Sequence, residues 1–237
     1  MATADSDITD WQAYFVQKAS EARDPLLRRF YGAGMPAPDT PLSEVPMAAL
    51  DLETTGLDAS RNAIVSIGLI PFDLKRIRCR DAFYWVVKPS RTLEYESITF
   101  HHITHTDIEQ APDLTGVLGE LLEVMAGRIM VAHYRQIERV FLGEAVDARL
   151  GEALEFPVID TMALEARWNR AKKPGLWDRM LGRKPPSIRL AASRQRYGLP
   201  VYGAHHALTD AIATAELLMA QVATRLGPET PLHEVVY

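Results

Sequence analysis

The 237-residue sequence has a single cysteine, Cys79. That excludes a disulfide framework and a cysteine-rich zinc site, and it makes the cytoplasm the expected compartment. Long apolar runs are also missing. The longest, residues 63–72, is interrupted by Ser66 and Pro71 and falls well short of the ~20 residues a membrane-spanning helix needs. Met1 to Asp10 is polar and acidic, unlike a secretory signal. Nor is there a surplus of positive charge. The net charge of -5 argues against a protein that coats duplex nucleic acid through bulk electrostatics. It leaves open one that holds a short strand end in a local site. What is present, 47% apolar and 24% charged residues, suits a globular chain with a substantial core.

The charge is unevenly placed. Residues 167–196 carry ten basic residues against one acid, Asp178, so this stretch is +9 and the remainder -14. One reading is a solvated surface loop. The other is a phosphate-contacting flap, with Trp168 and Trp177 interleaved among Arg179, Arg183 and Lys184 to meet a single strand.

The organising stretch is residues 48–58, Ala-Ala-Leu-Asp-Leu-Glu-Thr-Thr-Gly-Leu-Asp. On a strand, Asp51 and Glu53 share one face while Leu50 and Leu52 take the other. Two carboxylates side by side on a buried strand repel each other and lose hydration. A divalent cation between them resolves both problems.

Around that stretch the pattern predicts an α/β fold. Residues 47–53, 63–72 and 79–88 read as strands with short turns, hence an antiparallel meander. Two further strands, 128–133 and 156–159, alternate with helices over 113–126, 136–150, 161–170, 187–197 and 207–226. Together they make a mixed five-stranded sheet with helices on both faces. Residues 11–31 read as helical with a break at Pro25, and 32–46 as a Pro- and Gly-rich linker. The expected division is therefore a helical appendage, 1–46, and a main domain, 47–237.

Two more places carry chemistry. Glu138 falls in the first turn of the helix after the fourth strand, at the carboxyl end where α/β sheets place ligands; alone, it also reads as a glutamate complementing a helix dipole. Asp210 falls at the start of the last helix, five residues after His205. On one continuous helix these two would diverge, so His205 belongs to the preceding loop if both face one site. A histidine there is a natural general base near neutral pH, or else a cap. His101, His102 and His105 invite a zinc site, but their spacing lacks the companion ligands of a closed tetrahedron.

Taken in order, Asp51-x-Glu53-Thr54-Thr55-Gly56-Leu57, Val131-Ala132-His133, Ile159-Asp160-Thr161 and His205-x-Ala207-Leu208-x-Asp210-Ala211 resemble the DnaQ-like (DEDDh) 3′–5′ exonuclease family over residues 47 to about 225. The resemblance implies a ribonuclease-H-like sheet and hydrolysis of 3′ ends of single-stranded nucleic acid. It implies two divalent ions, Mg²⁺ or Mn²⁺, held by Asp51, Glu53, Asp210 and Glu138, with His205 as the base. Thr54, Thr55, Gly56 and Leu57 would line the terminal nucleotide's pocket, and Asp160 would orient structure. The chain departs from the family in the second motif, where Glu138 replaces an aspartate and Tyr134 an asparagine. DNA is the expected substrate, RNA the alternative, and a non-catalytic nucleic-acid-binding module the alternative of another class. Only ten residues follow Gly227, so a stand-alone enzyme or one docked on a protein partner through 1–46 is expected, with no membrane contact. The oligomeric state stays open, a homodimer included.

Overall fold

A computed structural model describes residues 8–89, 103–171, 185–203 and 205–237. The strands are β1 (Met47–Thr54), β2 (Ile64–Asp73), β3 (Arg76–Ile77), β4 (Phe83–Val86), β5 (Ile129–Ala132) and β6 (Val158–Asp160). The helices are α1 (Trp11–Glu21), α2 (Pro25–Gly32), α3 (His105–Gln110), α4 (Thr115–Met125), α5 (Arg135–Leu150), α6 (Thr161–Ala171), α7 (Leu190–Arg196) and α8 (Ala207–Gln221). The strands form one mixed sheet in the order β3-β2-β1-β5-β6, with β4 also pairing β2. β1 runs antiparallel to β2 and parallel to β5, and β5 runs parallel to β6.

The third strand of the expected meander is broken in two. β3 pairs with Phe72 and Asp73, and β4 pairs with Ser66 to Leu69. Between them Cys79–Asp81 forms a 3₁₀ turn. The break follows from Asp73, whose carboxylate accepts from the Lys75 and Arg76 amides and from the Arg78 guanidinium. These bonds turn the chain tightly, so the ladder restarts only at Phe83.

β1 divides its side chains between two cores. Ala48, Leu50 and Leu52 join a cluster with α2, α4 and α5, while Met47 and Ala49 pack with Ala211, Ala215 and Leu218 of α8. Small residues on the inner stripe of α8 let that helix lie close to the sheet. It ends one turn earlier than its apolar pattern suggests, passing into a π-turn over Val222–Leu226.

The segment before β1 is tied to the sheet's other face. Trp11, Phe15, Leu27, Phe30 and Tyr31 are buried in the same cluster as Leu118 and Leu121 of α4. The Pro- and Gly-rich stretch is likewise fixed: Leu42 and Val45 are buried, and the Leu42 and Ser43 amides donate to Thr230 and Pro228 carbonyls. Among the described residues no helix is long and apolar enough to cross a membrane.

Candidate active site

The site forms where β1 runs out from under α8. Asp51 pairs across the sheet with Gly68 of β2, and Glu53 with Ser66, before a bulge shifts the register at Thr54. A methyl group on Gly68 would lie 2.2 Å from the Ala207 carbonyl carbon and 2.3 Å from the Leu208 nitrogen. Only glycine lets the first turn of α8 sit on the strand. That contact delivers Asp210 to the two β1 carboxylates, and ligand oxygens of Asp51, Glu53 and Asp210 lie within 4.8 Å of one another.

Glu138 stands beside this trio rather than within it. It is 3% exposed in the first turn of α5, and its Oε2 has no hydrogen-bond partner. Burial pushes its carboxyl up to about 8, and the charge of Asp160 adds to the effect. Asp51 is also raised well above the carboxylate range, chiefly by burial, then by the charges of Glu138, Asp210 and Glu53. Asp210 moves in the same direction through burial and Glu53, opposed by the His205 amide. Three acids raised together by burial beside Glu53, one of them with an orphaned oxygen, suit a cation or a pair of cations. Among the described residues, Asp51, Glu53 and Asp210 could hold a metal, with Glu138 near Asp51.

His205 lies on the loop before α8, with φ of 69°. Its amide donates to Asp210 Oδ2 at 2.9 Å, so one carboxylate of the cluster also holds the histidine's backbone. His205 lines a cleft of about 380 Å³ with Asp51, Asp210, His133 and Arg189. Next to it, His206 caps α8 and stacks on Tyr84 of β4, centroids 4.5 Å apart and planes 20° apart.

The β1–β2 turn is closed by its threonines. Thr54 Oγ1 donates to the Gly56 carbonyl at 2.7 Å, and Thr55 Oγ1 accepts from the Ala63 amide at 3.0 Å. Leu57 projects outward, 84% exposed. Asp160 receives the Tyr134, Arg135, Met162 and Ala163 amides and the Arg135 guanidinium, and thereby caps both α5 and α6. Its oxygens are spent on structure. Tyr134 itself has φ of 96°, a left-handed conformation that strains a bulky side chain by about 1–3 kcal/mol.

The comparisons with known proteins fit this geometry. The RNase T family, described as exonuclease, matches residues 48–218. The chain belongs to the RNase T exonuclease family. It is 30% identical over 179 residues to DNA polymerase III subunit epsilon of Treponema pallidum (strain Nichols), covering 76% of this chain and 77% of that one. It is 27% identical over 208 residues to DNA polymerase III PolC-type of Thermotoga maritima, covering 88% of this chain but only 13% of that polymerase. The nuclease domain of 3′hExo, a DEDDh family member solved bound to rAMP, superposes with a TM-score of 0.60 at 16% identity, over 78% of this chain and 94% of that one. This exonuclease therefore has the DnaQ-like fold its motifs imply.

Several elements of the site are not evident from sequence motifs. Gly68, inside an otherwise apolar strand, is the one with a readable signal, since strand glycines often mark a close backbone approach. Tyr84 and His206 carry none. The basic segment resolves in part. Arg194 is buried, bonded to the Ala213 and Pro200 carbonyls and Glu216, and Arg196 is bonded to Ser187 and Glu165. Arg194 is therefore a structural residue, while Arg196 remains exposed beside the bonds it makes. Arg189 reaches the cleft. Arg179, Arg183, Lys184 and Trp177 lie outside the described residues, as do His101, His102 and the side chain of His105.

Proposed function

We propose that this exonuclease removes nucleoside monophosphates from the 3′ ends of single-stranded DNA, with Asp51, Glu53, Asp210 and Glu138 holding two divalent ions, Mg²⁺ or Mn²⁺. The observation that carries it is the convergence of Asp51, Glu53 and Asp210 within 4.8 Å, beside a histidine whose backbone one of them holds. When bound, the ions supply Lewis-acid activation of the attacking water and neutralise charge at the leaving 3′ oxygen. His205 takes the proton of that water at its imidazole nitrogen. Its left-handed backbone and the Asp210 bond fix it on the cleft wall, and its exposure lets solvent carry the proton away. Thr54, Thr55, Gly56 and Leu57 line the place of the terminal nucleotide, the rigid turn leaving backbone groups to meet the sugar and Leu57 to meet the base. Tyr134 belongs to the same surface. The likeness to an epsilon subunit supports DNA, and a role in replication or repair.

The test is hydrolysis of matched 3′-labelled DNA and RNA oligomers by wild type, Asp51→Ala and His205→Ala, with Mn²⁺, Mg²⁺ or chelator. The expected outcome is metal-dependent release of monophosphates from the 3′ end, faster on DNA and lost in both variants. Undiminished hydrolysis by Asp51→Ala would refute the site. Faster hydrolysis of RNA would move the substrate to RNA.

A further inference from the structure

Five large apolar side chains are conspicuously exposed among the described residues: Val16, Leu57, Tyr134, Val201 and Tyr202. Four of them belong to the segments that carry or border the acidic cluster. Leu57 follows β1, Tyr134 follows β5, and Val201 and Tyr202 line the cleft with Asp51, His205 and Asp210. Exposed apolar groups scattered singly need no explanation, but several of them on the strand ends and loops that build a polar cleft mark a binding surface.

Tyr134 is the unusual member. Its φ of 96° is a conformation that glycine and asparagine adopt easily and an aromatic residue does not. Burial offers no compensation, because the side chain is 44% exposed. The conformation is nevertheless firmly imposed: the Tyr134 amide donates to Asp160 Oδ1 at 3.2 Å and the next amide to Asp160 Oδ2. The phenol donates to Gln136 Oε1 at 2.7 Å, which orients the ring along the start of α5. So the backbone is strained to present an aromatic face to solvent, one residue from His133 in the cleft wall and one helical turn from Glu138. Strain kept at such a place points to a ligand.

We propose that Tyr134 is a stacking platform for a base near the 3′ end of the single-stranded substrate. A stacked base is recognised by its face, which every base has, so this contact tolerates sequence and serves DNA and RNA alike. The inference rests on the functional reading above and adds a specific substrate contact to it.

The decisive variant is Tyr134→Asn, which relieves the backbone and deletes the ring. The assay uses single-stranded oligomers with either normal bases or abasic sugars at the 3′ end. KM is read from hydrolysis, and affinity is read separately in EDTA by fluorescence anisotropy of both oligomers labelled at the 5′ end. Wild type is expected to bind the normal oligomer on the order of tenfold more tightly than the abasic one. Tyr134→Asn should erase that preference, with the loss falling mainly on KM, and should melt at the same temperature or about 2–4 °C higher. Tyr134→Phe, which keeps the ring, should stay within about twofold of wild type. Retained preference in Tyr134→Asn, or a lower melting temperature with no change in affinity, would overturn the inference and make Tyr134 a structural residue. Should wild type neither bind nor cut single strands, the functional reading falls first and this inference with it.

Discussion

Gly68→Ala tests whether the seat of α8 on β2 is what assembles the site. The added carbon would lie 2.2 Å from Ala207 C, 2.3 Å from Leu208 N and 2.4 Å from Ala207 O. Unstrained carbon contacts sit at roughly 3.5–4.0 Å, so strand and helix must part by about 1 Å. All three atoms are backbone, so no side-chain rotation relieves the clash. Nor can α8 slide freely, since Ala211, Ala215 and Leu218 anchor it in the core. The movement therefore falls on the first turn of α8, which carries Asp210 and fixes His205. A displacement of that size at reacting groups costs on the order of 100-fold in rate. Overpacking should lower stability by about 1–3 kcal/mol, or roughly 2–12 °C in melting temperature. The control is Gly119→Ala in α4, where the nearest atom is Leu26 Cδ2 at 3.8 Å. A helix-interior alanine there should stabilise by about 0.5–1 kcal/mol and leave hydrolysis unchanged. Steady-state hydrolysis of a labelled oligomer over a Mn²⁺ titration, with parallel thermal melts, reads both quantities. A Gly68→Ala protein with wild-type kcat and wild-type Mn²⁺ dependence would refute the reasoning, whatever its melting temperature.

Glu138 and His133 give two further expectations. Glu138→Gln should lose roughly 10–100-fold in activity and shrink the thermal shift caused by Mn²⁺, whereas Glu138→Asp should keep or raise activity; equal rates for wild type and the glutamine variant would remove Glu138 from the ligand set. His133 bonds Thr161 Oγ1 at 2.8 Å and the Ile188 carbonyl at 3.0 Å, and burial lowers its pKa to about 4 from 6.5. The unfolded chain therefore takes up a proton first, and stability should fall as pH drops from about 6.5 to about 4, by up to about 3 kcal/mol. Urea melts of wild type and His133→Asn at pH 7 and 4.5 check this; identical losses in the two proteins would show that His133 is not the cause.

How much of this could be read from the chain differs by element, for physical reasons. The β1 carboxylates were legible because a strand has a period of two, which puts Asp51 and Glu53 on one face whatever surrounds them. The helices were legible from their apolar stripes, although α8 was expected to run to Leu226 and gives way to a π-turn after Gln221. The break between β3 and β4 was not, since it depends on which donors Asp73 captures once the chain has turned. The +9 segment misled at Arg194, because composition counts charge and cannot show that a guanidinium will be buried against carbonyls. The strain at Tyr134 was invisible for a related reason. Nothing local requires a left-handed tyrosine there; the amides held by Asp160, twenty-six residues downstream, impose it.

The bond from the His205 amide to Asp210 has a consequence for how mutational data on this site should combine. On the proposed assignment of ligand and base, Asp210→Ala deletes a ligand oxygen and also frees the His205 backbone, so it carries part of the penalty of His205→Ala within it. The two losses should be far from additive: the double variant should be scarcely slower than Asp210→Ala alone, with a large coupling term in the cycle. Summing single-residue effects would count the loss of the base twice, and a partition of rate enhancement between base and ligands has no unique answer in this fold.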